Sequence, residues 1–307
     1  MPAFTKKQLF LFIVMVVFFL LIASEFVYLY MKRPPILVVT DNSFALVHGQ
    51  KRVQNRTAAL SRTFFRQVKP VLVNENSNHD QISVALESVS EKPWVVVVPW
   101  RYLNGGRFYK EKNPDIPVLV VGGPIGHIEE ILSFARADLI TDLYRAGASA
   151  ARLAGGKKVV FFSDVFSASG ANSAGISREE YEEAFSSGFK TVAKDEEEPV
   201  FLANNLTYSD YSEVGCVVVS GPASQFLEKN RDIPIILFSW IEPALTPFDV
   251  KVLFDDSPWT FIQKAIKSYP GKGGELLIPS ETIVFRGKIA HLSDFLKVKS
   301  LLKGKLK

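Results

Sequence analysis

Aromatic, carboxylate and amide side chains follow several of the apolar runs in this chain. Such groups can stack against a flat or sugar-like molecule and hydrogen-bond its polar edges. Ligands of open α/β sheets bind beyond the carboxyl ends of the strands, so residues that follow a strand-like run are the natural candidates. The candidate ligand-binding residues are Asp41, Ser43, Phe44, Trp100, Tyr102, Gly123, Asp164, Phe166, Asn204, Gly221, Trp240 and Asp256.

Most of these residue types also have an ordinary structural role. Trp100 and Trp240 can equally cap a hydrophobic core at the end of a strand. Asp41 and Asp256 are also typical helix N-cap or turn residues, and the two phenylalanines are of a type that anchors loops. Both interpretations stay open at the level of the sequence.

Motifs of catalysis and cofactor binding are missing from the sequence. There is no GxSxG elbow, no Walker GxxxxGK[ST] loop and no ordered set of Ser, His and Asp. The glycine-rich stretch VVGGPIG at residues 120–126 follows a strand-like run but lacks GxGxxG spacing. Cys216 is the only cysteine, and the four histidines show no HxxxH or HxH spacing. We therefore predict no catalytic residue, no metal and no cofactor, which argues against an enzyme.

Acidic and basic residues are mixed along the chain. The 36 basic and 32 acidic residues give a formal net charge of +4, whereas nucleic-acid binders concentrate basic residues on one face or arm. This pattern argues against a nucleic-acid partner. The one densely basic stretch is KVKSLLKGKLK at the end, which we expect to be a solvated or frayed tail, with contact to anionic lipid as the alternative.

The N-terminal region contains an apolar run of the length that spans a membrane. Residues 9–31 are almost wholly apolar and are flanked by Lys6 and Lys7 before and by Lys32 and Arg33 after. We interpret the run as an uncleaved, single-pass signal anchor in the cytoplasmic membrane, with cleavage near Ala23 as the alternative. The flanking charges balance, so the positive-inside rule does not decide orientation.

Beyond the anchor, short β-branched runs alternate with longer mixed segments. Runs such as ILVVTD and WVVVVPW are continuously apolar, which is typical of parallel strands buried on both faces. Segments such as TAALSRTFFRQ and IGHIEEILSFARA between them predict helices. The pattern restarts at KKVVFFSD, and REEYEEAFSSGFK places Tyr181, Phe185 and Phe189 on one helix face. The sequence therefore predicts two doubly wound α/β lobes in tandem.

Two further pieces follow the strands of the second lobe without completing a third. They are KVLFDDSPWTFIQKAIKSY and GELLIPSETIVFRGK. They make sense if the chain crosses back to the first lobe and then returns, so that three segments bridge the lobes.

This arrangement resembles the type I periplasmic binding protein fold, shared by solute-binding proteins and effector domains of the lac repressor family. The stretches that carry the resemblance are DLYRAGASAARLAGGKKVVFF, VLFDDSPWTFIQKAI and IPSETIVFRGK. TDNSF is similar to the opening loop of the basic membrane protein, or nucleoside-binding, group, although Ala45 replaces the expected asparagine and no lipid-bearing cysteine is present. The resemblance implies a first lobe at 36–142 plus 249–277 and a second lobe at 143–248 plus 278–290. The apolar run and the charge pattern leave an N-terminal tail at 1–8 and a basic tail at 291–307.

The anchor and the resemblance together predict a membrane-anchored, extracytoplasmic solute-binding or sensory protein. Its lobes would close on a small polar ligand such as a nucleoside, sugar or amino acid, and an ABC-type permease or a signalling protein would be its partner. The alternative is a degenerate binding fold that serves as a structural or protein-interaction module of the envelope. Two-lobed α/β architecture also serves glycosyltransferases, which keeps an enzyme as a further alternative by analogy.

Overall fold

A computed structural model shows an N-terminal helix followed by two α/β lobes. It describes residues 6–42, 50–162, 175–193, 198–202, 212–219, 233–238, 250–255, 258–268, 273–285, 289 and 291–304. The helices in these residues are α1 (Lys6–Lys32), α2 (Gln50–Phe64), α3 (His79–Glu87), α4 (Leu103–Lys112), α5 (Leu139–Ala154), α6 (Arg178–Lys190), α7 (Pro258–Ser268) and α8 (Leu292–Leu301). The strands are β1 (Ile36–Thr40), β2 (Val68–Leu72), β3 (Val95–Pro99), β4 (Val118–Val121), β5 (Ser133–Ala137), β6 (Lys158–Phe162), β7 (Val200–Leu202), β8 (Val214–Val219), β9 (Ile235–Phe238), β10 (Val250–Asp255), β11 (Gly274–Ile278) and β12 (Glu281–Val284).

Each lobe is built on one six-stranded sheet. The first sheet has the order β11-β5-β4-β3-β1-β2 and the second has the order β12-β10-β9-β8-β6-β7. All pairings are parallel except β10 with β12. Strands such as β1 and β8 are buried at every position, as the continuously apolar runs predict. The two-lobed, doubly wound α/β fold is thus confirmed.

Three segments of the chain pass between the sheets. The first runs from β5 through α5 to β6, and the second from β10 through α7 to β11. The third is the two-residue step Pro279–Ser280 between β11 and β12, which divides IPSETIV at residues 278–284 between the two sheets. This bridging role is the one that the sequence predicts for that stretch.

Two sequence-based expectations about strands differ from the structure. Residues 249–277 were assigned to the first lobe, but β10 pairs with β9 and β12 in the second sheet, so the chain crosses only after Asp255. The segment IGHIEEILSFARA was expected to be a helix, yet β5 lies within it. Arg136 hides this strand in the sequence because a charged residue interrupts the apolar run, although its side chain is 1% exposed.

Helices α5 and α6 pack closely because glycines stand where they meet. An ideal Cβ on Gly188 would lie 1.8 Å from the carbonyl oxygen of Tyr144, and one on Gly147 would lie 2.1 Å from that of Phe185. The predicted α6 face is confirmed, since Tyr181, Phe185 and Phe189 are all buried. The α5 helix ends at a glycine, Gly155, with φ of 61°.

The basic C-terminal stretch is structured over residues 291–304. Helix α8 packs against α5, and Val298 and Leu302 are buried in the apolar cluster of the second lobe. Arg145 of α5 donates a hydrogen bond to the carbonyl oxygen of Gly304 over 2.8 Å. The expectation of a frayed tail is therefore wrong for these residues, because Val298 and Leu302, four residues apart within the basic run, lie on one buried face of a helix.

Helix α1 stands apart from both cores. Within the described chain it contains one stretch, Phe10–Lys32, that is long and apolar enough to cross a membrane, with a mean hydropathy of 2.8. None of the residues in its most apolar 18-residue window is buried by the lobes, which is consistent with the predicted span at residues 9–31. Its last turns contact the first lobe, where Phe26 and Tyr30 meet Phe65.

Candidate functional site

Four of the twelve predicted site residues lie in the part of the chain that the structure describes. Asp41, Trp100, Tyr102 and Gly123 follow strands β1, β3 and β4 at the carboxyl edge of the first sheet. The structure thus brings these four residues to one edge. The remaining candidates, Ser43, Phe44, Asp164, Phe166, Asn204, Gly221, Trp240 and Asp256, lie outside the described residues.

Asp41 forms a buried polar cluster with Tyr102. Asp41 is 2% exposed, and the Tyr102 hydroxyl donates a hydrogen bond of 2.5 Å to its Oδ2 atom. Burial raises the pKa of Tyr102, and the hydrogen bond to the carboxylate raises it further. Tyr102 therefore stays protonated and acts as a donor to Asp41 rather than as an acid or base.

Arg101 completes this cluster, and the candidate list does not contain it. Its Nη1 atom lies 3.0 Å from Asp41 Oδ2, while its side chain is 47% exposed. The guanidinium also lies over the Tyr102 ring, 5.0 Å from the centroid. The sequence could have indicated Arg101 as a candidate, because it stands between Trp100 and Tyr102 directly after β3. It is the charged group of this cluster that reaches solvent.

Trp100 packs its ring onto Gly123. A Cβ on Gly123 would lie 2.2 Å from Trp100 Cδ2, and the glycine has φ of 86°. The edge of Trp100 meets the His127 ring at a centroid distance of 4.9 Å, and Phe134 lies at 6.4 Å. The indole also packs against the apolar cluster of the first lobe. These contacts match the core-capping interpretation of Trp100 and explain the need for glycine at 123.

The loop between β4 and β5 is held by the buried guanidinium of Arg136. It forms an ion pair with Glu275 of β11 and donates hydrogen bonds to the carbonyl oxygens of His127 at 2.6 Å and Gly122 at 3.3 Å. Glu275 in turn accepts from the backbone N–H of Gly126 at 3.2 Å. Burial lowers the pKa of Arg136 to about 10, so the side chain remains charged at neutral pH. This network could not be predicted from the sequence, because it joins residues that are far apart in the chain.

The same loop reaches the second lobe. Ile125 packs against the apolar cluster of that lobe, and a Cβ on Gly175 would lie 3.3 Å from Pro124 Cβ. The loop therefore joins the carboxyl edge of the first sheet to the second lobe, on the side where the sequence predicts a cleft.

The bridging segments meet at a buried carboxyl group. Asp142 of α5 accepts the backbone N–H of Ser280, at 3.1 and 3.0 Å from its two oxygens. Arg145 lies 3.8 Å away. Burial raises the pKa of Asp142 to about 7, and the hydrogen bond from Ser280 and the charge of Arg145 oppose this effect. The first and third bridges are thereby linked through a titratable group.

A second set of contacts links the lobes beside these bridges. Arg56 of α2 forms an ion pair with Asp255, which is 1% exposed at the end of β10, and lies 3.5 Å from Glu281 of β12. The backbone N–H of Asp138 donates to the carbonyl oxygen of Ile278 at 3.0 Å. Polar contacts of this kind can hold two arrangements of the lobes, as hinge segments do.

A cavity of about 400 Å³ lies at the opposite edge of the first sheet. Its wall includes Leu86, Tyr109 and Ile116, and its rim carries charged residues such as Glu87 and Lys112. It opens beside the segments that precede β3 and β4, away from the predicted site. Across the described residues, no group of three or more His, Cys, Asp or Glu side chains is placed to hold a metal ion.

Comparison with solved structures identifies the architecture. The structure is similar to a transcriptional activator of the comK gene from Bacillus halodurans, with a TM-score of 0.59, 11% identity, and coverage of 88% of this chain and 96% of that one. It is also similar to a periplasmic solute-binding protein of an ABC transporter from Actinobacillus succinogenes 130z with bound D-allose, with a TM-score of 0.52, 10% identity, and coverage of 83% and 99%. No family model and no curated protein matches the sequence. Two parallel-dominated lobes, three bridging segments and these likenesses show that the chain has the type I periplasmic binding protein fold.

Proposed function

We propose that this protein is a membrane-anchored, extracytoplasmic solute-binding or sensory protein whose lobes close on a small polar ligand. The observation that carries the proposal is the pair of parallel-dominated sheets joined by three bridging segments, with polar contacts where the bridges meet. That architecture lets two lobes rotate about a short hinge. The D-allose-bound neighbour of the same fold supports a sugar-like or similarly polar ligand.

The anchor part of the proposal rests on α1. Its apolar side chains are exposed from Phe10 onward, and only three residues separate the helix from β1. A folded part tied so closely to a bilayer suits a receptor that delivers its ligand, or its closed state, to a membrane partner. An ABC-type permease or a signalling protein is the partner class that we propose.

A second candidate function is a protein-interaction module of the envelope that no longer binds a small ligand. The observation that favours it is the engagement of Asp41 and Trp100 by their own chain. In this alternative, the first-lobe edge is a packed wall rather than a ligand surface.

Thermal unfolding of the full chain with sugars, nucleosides and amino acids distinguishes the two candidates. A ligand at a hundredfold its dissociation constant stabilises the folded state by about 2.7 kcal/mol. We expect at least one class to raise Tm, and Arg101→Gln to reduce that shift, while Arg62→Gln on the exposed face of α2 leaves it unchanged. A cooperative transition that no compound shifts would exclude solute binding by these classes and favour the interaction module.

The extracytoplasmic placement has its own test. In spheroplasts, added protease should cleave the folded part without disruption of the membrane. Protection of the folded part until the membrane is lysed would place it in the cytoplasm and contradict the proposal.

A further inference from the structure

The end of the anchor helix is fixed to the first lobe. The Tyr30 hydroxyl lies 2.6 Å from Ser61 Oγ of α2. The Phe65 ring contacts Phe26 and Tyr30, with centroid distances of 6.1 and 5.4 Å. Helix α1 therefore does not act as a free tether, and its direction sets the orientation of the lobe.

Phe65 adopts an unusual backbone conformation to make this contact. Its φ of 49° lies in the left-handed region, where it is the only non-glycine among the described residues. That region is unfavourable for a bulky residue and is normally taken by Gly or Asn at the end of a helix. The tertiary contacts of the ring thus override the local preference, which indicates that the position of α1 relative to α2 matters.

Two arginines lie beside this contact without an acidic partner among the described residues. The Arg33 guanidinium is 5.0 Å from the Phe65 ring centroid, and that of Arg66 is 4.4 Å from the centroid of Trp94. Neither forms a salt bridge with any described residue. Burial and the positive charge of Arg33 lower the pKa of Arg66, as expected for two cations held close together.

Other cations on the same edge of the first sheet have partners within the chain. Lys69 lies 2.8 Å from Glu91, and Lys112 lies 3.4 Å from Glu87. Lys110 donates hydrogen bonds to the carbonyl oxygens of Pro114 and Ile116. Arg33 and Arg66, which pair with no described carboxylate, lie instead where the chain leaves α1.

These arginines also stand close to the end of the proposed span. Arg66 donates a hydrogen bond to the carbonyl oxygen of Pro34 at 2.9 Å, and the backbone N–H of Trp94 donates to that of Pro35 at 2.8 Å. Pro34 follows Lys32, the last residue of α1, by two residues, and two extended residues cover about 7 Å. The polar headgroup layer on each side of a bilayer is roughly 5–7 Å thick. With α1 placed across a bilayer, Arg33, Arg66 and Trp94 would lie at the depth of phospholipid phosphates.

We propose that this edge of the first lobe lies on the membrane surface and binds anionic phospholipid headgroups through Arg33 and Arg66, with Trp94 in the interfacial layer. Guanidinium groups bind phosphate through paired hydrogen bonds, and tryptophan is enriched at membrane interfaces. This inference rests on the proposed span of α1. It adds that the first lobe is held against the bilayer and that the second lobe is the one free to move.

Fluorescence quenching in lipid nanodiscs tests the proposal with the full chain. The discs contain phosphatidylcholine alone or phosphatidylcholine with phosphatidylglycerol, and in both cases a headgroup-nitroxide phosphatidylcholine as the quencher. The contribution of Trp94 is the difference between the parent chain and Trp94→Phe. We expect strong quenching of this contribution in the anionic discs and weaker quenching in the neutral ones.

Charge variants locate the binding groups. A basic residue near an anionic surface shifts a docking equilibrium roughly fivefold, so Arg33→Gln with Arg66→Gln should lower the quenching at least about twofold. The matched control, Lys69→Gln with Lys112→Gln, removes the same charge from the same edge and should leave it unchanged. Arg33→Lys with Arg66→Lys should retain most of it, which separates charge from folding defects.

Two results would overturn the proposal. Equal quenching in both lipids would show that these arginines do not bind anionic headgroups. The same conclusion would follow if Arg33→Gln with Arg66→Gln and the control Lys69→Gln with Lys112→Gln lowered the quenching equally. Failure of the chain to co-elute with discs would overturn the membrane span itself, and the docking with it. Co-elution without arginine-dependent quenching would overturn the docking alone.

Discussion

Replacing Asp142 with asparagine should remove a pH dependence of stability that centres on the bridging segments. The pKa of Asp142 is raised from 3.8 to about 7 by burial, so the folded chain binds this proton more tightly than the unfolded chain does. The contribution of the protonated Asp142 carboxyl to the free energy of unfolding is then fully present below about pH 4. It is lost as the pH rises towards 7 and above. The rise in the pKa from 3.8 to about 7 corresponds to a total change of about 4 kcal/mol in the free energy of unfolding.

Asp142→Asn keeps a side-chain oxygen that can accept the Ser280 N–H but does not titrate. We expect the variant to exceed the parent in free energy of unfolding, by a margin that widens by about 2–3 kcal/mol between pH 5 and pH 8. Urea unfolding of the full chain in detergent, followed by tryptophan fluorescence, measures the margin at both values.

Asp138→Asn is the matched control because Asp138 caps the same helix, where asparagine caps equally well. It should change stability by less than about 0.5 kcal/mol at either pH. A margin for Asp142→Asn that stays constant or narrows with rising pH would refute the reasoning. It would mean that Ser280 and Arg145 compensate the burial and that the carboxylate is ionised throughout.

The remaining predictions concern packing and the buried ion pair, and urea unfolding measures both. Arg136→Met leaves Glu275 and two carbonyl oxygens without their partner, so it should cost about 3 kcal/mol, and Glu275→Gln, which keeps an acceptor for the loop, should cost less. Equal losses would show that the loop hydrogen bonds do not matter. Gly188→Ala should cost about 2 kcal/mol or more because its Cβ would overlap the carbonyl oxygen of Tyr144, although alanine is the better helix former. Glu183→Ala on the exposed face should be nearly neutral, and a neutral Gly188→Ala would mean that α5 and α6 can separate freely.

The architecture was largely predictable because strands that are buried on both faces of a sheet have continuously apolar sequences. The tandem of two such sets, followed by pieces that complete no third lobe, predicts bridging segments, and the third bridge lies within IPSETIVFRGK as expected. The chain passes between the sheets after Ile278, one residue beyond the predicted boundary. Strand β5 escaped prediction because its buried charge is matched by Glu275, a residue 139 positions away. A prediction from the apolar pattern assigns a charged residue to the surface, because the pattern contains no information about a distant ion-pair partner.

The location of the site was predictable, but the contacts that its side chains make with one another were not. Asp41, Trp100, Tyr102 and Gly123 lie at the carboxyl edge of one sheet, which topology alone requires. That Tyr102 would bond to Asp41, and that Trp100 would cover Gly123, depends on side-chain directions across different strands. Arg101 was missed for the same reason, since nothing in the chain order shows that it pairs with a buried carboxylate while reaching solvent.

These contacts limit which side chains of the first lobe can hydrogen-bond a ligand. Recruiting the Asp41 carboxylate would require breaking its hydrogen bond to Tyr102 and its pairing with Arg101 in a buried setting, where unpaired charge is costly. Within the described cluster around Asp41, the accessible polar group is instead the Arg101 guanidinium, whose charge is already partly compensated by Asp41. Such a group favours a neutral molecule rich in hydrogen-bond acceptors, as sugar hydroxyls are, over a ligand that needs a free carboxylate. Sugars should therefore head the compound panel, and cationic amino acids should give the weakest response.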